Sequence, residues 1–281
     1  MRKLGTVVAL VLFLTAASSF AGVVFTAKTT SEGGRAAQMQ ASVVKGWASG
    51  DKAKVEFEES GNKMMAKGSY MITKDGGKAI FMVNPKEKTF SRWDMDQMMG
   101  FAGGAMKMMN MTISDPRVEN LGEEDGGMVV GVPTTRYRFR TSYTMSMSIM
   151  GMHKTTKIVD EQEIWATSKL AEAALGIWLR KTPPKFGDEG LDKLVRAEMG
   201  KVQGFPRKRK SVRTSTDEKG KTEVLTTVME VTELQMAPVP GSTFEIPSDF
   251  RETSMMGQGE GEGSQQGGDN PLLKMLNKKN P

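Results

Sequence analysis

Residues Tyr137 to Met152 read YRFRTSYTMSMSIMGM, and from Tyr137 to Ile149 the odd positions hold Tyr137, Phe139, Thr141, Tyr143, Met145, Met147 and Ile149. The even positions hold Arg138, Arg140, Ser142, Thr144, Ser146 and Ser148. Side chains of a strand point alternately to its two faces, so this pattern predicts one strand with a wet face and an apolar face. The run is far longer than the usual strand of about 5 to 6 residues. A strand of that length needs a large, curved antiparallel sheet around it. Its apolar face is aromatic at one end and methionine-rich at the other.

Working outward, the flanking segments repeat the same theme. Lys54-Val55-Glu56-Phe57-Glu58 alternates, and Gly68 to Val83 reads as a hairpin around Asp75-Gly76-Gly77. Asn84 to Lys88 is a further turn before Thr89 to Trp93, so the first half of the chain is a meander. Asp115 to Gly127 reads as a loop or edge hairpin. Ile158 to Trp165, Arg207 to Asp217 and Lys221 to Met236 are the later strands, and Phe244-Glu245-Ile246-Pro247 is an apolar clip. Helices are predicted over Met95 to about Met111 with Asp94 as cap, over Lys169 to Lys181 after Ser168, and over Asp188 to Val202. The first carries Gly100, Gly103 and Gly104, each costing about 1 kcal/mol relative to alanine, so it persists only when packed, beneath the sheet's concave side.

The two ends are of a different kind. Arg2 and Lys3, an apolar stretch from Val7 to Ala17 and Ser19-Phe20-Ala21 form a secretory signal peptide over residues 1 to 21, cut before Gly22. The mature chain is then a periplasmic or secreted domain over 22 to 253, followed by a disordered Gly/Gln/Glu-rich tail with a short apolar end over 254 to 281. The chain contains no cysteine, which removes disulfides and thiol chemistry. Its net charge of +6 is mild, and in an exported protein it speaks for transient contact with an anionic membrane surface or envelope partner rather than for nucleic acid.

Catalysis finds little support. The single histidine, His153, sits in a Gly-Met-His-Lys turn, and no Gly-x-Ser-x-Gly elbow occurs. Asp160, Glu161 and Glu163 read as the polar side of a strand. Arg207-Lys208-Arg209-Lys210 reads as a charged edge strand or a site for lipid head groups or acidic partners. The outlier is methionine, with 24 residues clustered at 95 to 111 and 145 to 152. Methionine is flexible and polarizable and suits an adaptable apolar lining. The sharper alternative is a Cu(I) site at Met150, Met152 and His153, because thioethers select soft metals.

Several segments together resemble an exported bacterial domain of unknown function, DUF4412: Gly68-Ser69-Tyr70 through Asn84-Pro85, Glu163-Ile164-Trp165, Gly204-Phe205-Pro206, the strand Lys221 to Met236, and Pro238-Val239-Pro240 with Phe244 to Pro247. In layout such domains are similar to the outer-membrane lipoprotein carrier superfamily. That resemblance implies an open antiparallel half-barrel wrapping helices and holding acyl chains on its concave side.

The expectation is therefore an α+β, mainly antiparallel protein: a curved half-barrel sheet of about ten or eleven strands around one to three helices. It is a monomer without enzymatic activity or cofactor that binds an apolar ligand such as a lipid, acyl chain or lipoprotein. Tyr137, Phe139, Tyr143, Met145 and Met147 line the sheet, facing Met98, Met99, Phe101, Met106 and Met109 on the helix. A structural envelope protein with a filled core is the competing expectation.

Overall fold

A computed structural model describes residues 21–34, 37–62, 65–149, 152–168, 186–198 and 201–253. The signal peptide, the helix expected over Lys169 to Lys181, Met150 and the tail lie outside these. The described residues form one mainly antiparallel sheet of twelve strands with few helices, one or two strands more than the patterning suggested. A first meander holds β1 (Ala21–Glu32), β2 (Ser42–Ser49), β3 (Lys52–Ser60), β4 (Tyr70–Thr73), β5 (Ala79–Asn84) and β6 (Thr89–Asp94). A second holds β7 (Thr112–Val129), β8 (Val132–Ile149), β9 (Met152–Thr167), β10 (Phe205–Asp217) and β11 (Thr222–Pro238). The two are joined by pairing of β1 with β11. The two-residue β12 (Arg251–Glu252) lies parallel to β6 at one edge, and β7 forms the other. The sheet is not closed into a barrel.

The helices are α1 (Ala37–Gln40), α2 (Met95–Met108) and α3 (Glu189–Glu198). Asp94 caps α2 as expected, its Oδ1 accepting from the backbone N–H of Asp96 at 3.1 Å and of Gln97 at 3.0 Å. One of the helix's glycines has a packing reason: a Cβ on Gly103 would stand 1.7 Å from the carbonyl oxygen of Phe186. Burial beneath the sheet is not what α2 shows. Its methionines are half-buried or exposed, with Met108 70% exposed, and it runs from β6 to β7 at the far edge.

Asp115 to Gly127, expected as a loop or edge hairpin, is instead part of the edge strand β7. Three register shifts against β8, Pro116 and a run of acidic residues make that edge a poor template for another strand. The basic run 207 to 210 is no edge strand, because β10 lies between β9 and β11.

Register across the sheet sorts side chains onto two faces. Phe139 pairs with Gln162, and Gln162 with Ser211, so these share one face; Arg140 and Glu161 share the other. On the Phe139 face, Val23, Phe25, Ala27, Phe205 and Val231 form one core cluster. The Phe25 ring lies over Gly46, where a Cβ would stand 2.2 Å from it. Phe139, Ile164 and Ala166 form a second cluster with Val118, Tyr137 and Val202. The third cluster lies on the Arg140 face of the short strands: Tyr70, Ile72 and Val83 are covered by Phe244, Val239, Ile246 and Phe250. The clip expected at Phe244 to Pro247 is thus the lid of a core.

Candidate functional site

The Phe139 face of the long strands carries the expected lining. Tyr137, Phe139, Tyr143, Met145 and Met147 all project from it, as the alternation predicts. Only Phe139 is buried, at 5% exposure, and the other four are half-buried. The helix residues are less gathered. Met98, Met99, Met106 and Met109 are half-buried and Phe101 is 56% exposed. The end of this segment meets β8 at the backbone of Ser148: its N–H donates to the Met109 carbonyl at 3.3 Å, and the side-chain Nδ2 of Asn110 donates to its carbonyl at 3.4 Å. The aromatic end of β8 packs instead against Ile164, Ala166, Val118 and Val202.

The same face continues across the short strands with apolar residues of which local alternation marked only Val55 as inward-facing. Val55 pairs with Met71, Met71 with Met82, and Ile80 with Trp93. Val55 opposes Gly46, which opposes Phe25, so this row shares the face of Phe139. All five are half-buried. Their affiliation is set by register summed over many strands, which the sequence of any one strand does not display.

Between the apolar parts lies a polar band. Asp160 is 4% exposed; its Oδ1 accepts from Ser211 Oγ at 2.6 Å and its Oδ2 from Arg213 Nη2 at 3.1 Å. Arg209 Nη2 donates to Oε1 of the buried Gln162. Thr141 Oγ1 donates to Glu198 at 2.6 Å, which places α3 over this face. Burial pushes the Tyr143 phenol above its ordinary pKa, with Asp160 and Glu198 adding to the rise and Arg213 opposing it. Asp160 does not lie on the polar side with Glu161 and Glu163, as first expected. It shares parity with Ile158 and Ile164, and that parity was the available signal.

The opposite face is a lattice of solvated charge. Arg136 pairs with Glu124 and Glu163, and Arg140 with Glu119 and Glu161. Such exposed pairs are screened by water and contribute little, so they keep the face wet rather than hold the fold. The basic run divides among environments. Lys208 faces Glu230 and the Trp165 ring, whereas Arg207 is shut off from solvent and donates to the Val129 and Val130 carbonyls at 3.0 and 3.2 Å. Arg207 thereby pins the turn in which Val130 adopts a φ of 51°, and its Nε and Nη1 have no hydrogen-bond partner among the described residues.

Two hollows open on the Phe139 face. One of about 410 Å3 is lined by Met147, Met152, His153, Lys154 and the Asp217 to Lys219 turn. Met152, 71% exposed, lines this hollow together with His153 and Met147. Among the described residues no group of three or more His, Asp or Glu side chains is placed to hold a metal ion. The second hollow, of about 310 Å3, lies against Asp160, Arg209, Ser211 and Arg213. No helix of the described residues is long and apolar enough to cross a membrane.

A family model described as a domain of unknown function, DUF4412, matches residues 20–250. No curated protein and no solved structure matches the chain.

Proposed function

The chain belongs to the DUF4412 family, whose description assigns no activity, and from its geometry we propose a non-enzymatic binding protein for an apolar, chain-like ligand such as a lipid or acyl chain, acting as a monomer in the periplasm. The observation that carries this reading is the half-buried apolar row on the Phe139 face. Tyr143, Met145 and Met147 on the long strands and Val55, Met71, Met82 and Trp93 on the short ones keep part of their surface open.

The connection between the two meanders favours a curved sheet resembling a lipoprotein carrier's half-barrel. Ten strand spacings separate β6 from β7 in the sheet order, about 48 Å if the sheet lay flat. The link between them is α2, about 21 Å long at fourteen residues, plus Met109 to Met111, which add about 10 Å. A flat sheet is out of its reach. Curvature toward the face that carries α3 turns the Phe139 face into a trough with apolar walls on both sides.

A methylene moved from water into such a trough contributes about 0.8 kcal/mol, so ten of them supply about 8 kcal/mol, from which the costs of association and ordering are subtracted. The test is native mass spectrometry of the chain purified from its own envelope, together with displacement of a fluorescent fatty acid. Co-purified lipid and saturable displacement support the reading. A ligand-free protein that ignores the probe at tens of micromolar ends it.

A second reading keeps one observation of its own. Met147, Met152 and His153 line one hollow, and thioether with imidazole is a donor set suited to Cu(I). Competition against a Cu(I) chelator separates the two, since this reading needs an affinity below micromolar that Met152→Leu abolishes.

A further inference from the structure

The hollow in the middle of the Phe139 face has a chemistry that a purely apolar ligand leaves unused. Arg209 and Arg213 project from the same face of β10 with Ser211 between them; their backbones stand about 13 Å apart along the strand, and both side chains line the one hollow. Asp160 is the single carboxylate among the residues lining this hollow, and both its oxygens are engaged, by Ser211 and by Arg213. Arg209 meets only the neutral amide of Gln162 and forms no ion pair among the described residues. The lining of the hollow thus carries two guanidinium groups and one carboxylate, with Glu198, held by Thr141, the next carboxylate on this face, and among the described residues each guanidinium has one side-chain acceptor, Gln162 or Asp160. A guanidinium presents paired donors in a plane, the arrangement that a carboxylate or phosphate accepts in two parallel bonds.

The hollow is also bounded by apolar groups. Leu225 and Met229 form its wall, and Met229 packs against the cluster around Phe25 and Val231. A ligand anchored at the two arginines therefore has greasy surface beginning one side chain away.

We propose that Arg209 and Arg213 form an anion subsite that takes the carboxylate or phosphate head of an amphiphile whose tail lies along the Phe139 face. This rests on the ligand-binding reading above and adds the head-group class to it. Asp160 acts as a positioning residue: it holds Arg213 and, by neutralising one charge, leaves room for a monoanion.

The test compares dodecanoate, dodecanol and inorganic phosphate on the full mature chain, by displacement of an apolar fluorescent probe and by calorimetry. Dodecanoate is expected to bind about tenfold tighter than dodecanol, which is about 1.4 kcal/mol. Arg209→Gln and Arg213→Gln remove that difference and leave dodecanol affinity unchanged, while Arg209→Lys, which keeps charge but loses the planar fork, restores part of it. Circular dichroism of each variant confirms the sheet. Equal affinity for acid and alcohol in the unaltered protein overturns the subsite and leaves the apolar reading standing. Absence of binding by both chains overturns the two together. Inorganic phosphate binding as tightly as dodecanoate identifies a free-ion site and overturns the amphiphile.

Discussion

On the short-strand side of the sheet Ile72, Val83 and Phe244 are each 1% exposed, locked beneath Val239, Ile246 and Phe250 on the Arg140 face. On the long-strand side Tyr143, Met145 and Met147 keep part of their surface in water, and their neighbours across the strands are Ile158, Thr156 and Lys154. One sheet thus closes one of its faces for stability in one half and leaves the opposite face accessible in the other. Close packing of large rigid side chains suits the first task, and flexible thioethers beside polar groups suit the second. The closed cluster of the short strands serves as a frame, while Tyr143, Met145 and Met147 on the opposite face remain accessible.

The comparison is broken most directly by truncating one residue from each half. Phe244→Ala removes the lid of the closed cluster and is expected to cost about 3 to 5 kcal/mol in a urea titration. Met145→Ala, on the open face, is expected to cost under about 1 kcal/mol, because its side chain leaves water only in part. Equal losses in the two variants abolish the distinction between frame and surface.

A smaller effect sharpens it. Tyr70 in the closed cluster and Tyr143 on the open face both ionise above the ordinary phenol value, in each case chiefly through burial. A folded pKa above the unfolded one means that stability holds below about pH 10 and falls as pH rises beyond it. Ultraviolet titration resolves this as late phenolate absorbance. An apolar ligand is expected to push the Tyr143 transition higher and leave that of Tyr70 in place, with Tyr143→Phe assigning the phases.

The smallest effect concerns the anchors of the lid. Lys74 pairs with Glu245 at 2.6 Å and Lys88 with Asp249 at 2.8 Å, and each lysine holds its carboxylate below the ordinary pKa. Stability from these pairs is present above the unfolded carboxylate pKa and fades as pH falls through the depressed values. Both carboxylates are exposed, so Glu245→Gln with Asp249→Asn should move the thermal midpoint less than any variant above, and less still in high salt.

Much of the frame was legible locally. Alternation along β8 gave the right face for Tyr137 to Met147, Asp94 announced its helix, and Phe244 to Pro247 declared itself by apolar residues between prolines. What escaped depended on long-range register. Val55 was marked inward by its own alternation, but that it, Met71, Met82 and Trp93 share the face of Phe139 follows only from a path across many ladders and one bulge between β1 and β11. Asp160 escaped because its charge was weighed above its parity. The basic run 207 to 210 was read as an edge because charge density in one strand says nothing of the partners lying on either side.

The union of the two meanders through β1 and β11 bears on how the molecule is made. Thr26 meets Glu233 across 207 positions of sequence, so β1 must wait until β11 has been made before the halves can join. Each meander can zip up by neighbouring hairpins, whereas the seam carries the loop-closure penalty of the whole domain and forms late. Until then β1 and β11 each show a bare hydrogen-bonding edge, and that interval is when the nascent chain most needs an escort to keep it from its own copies.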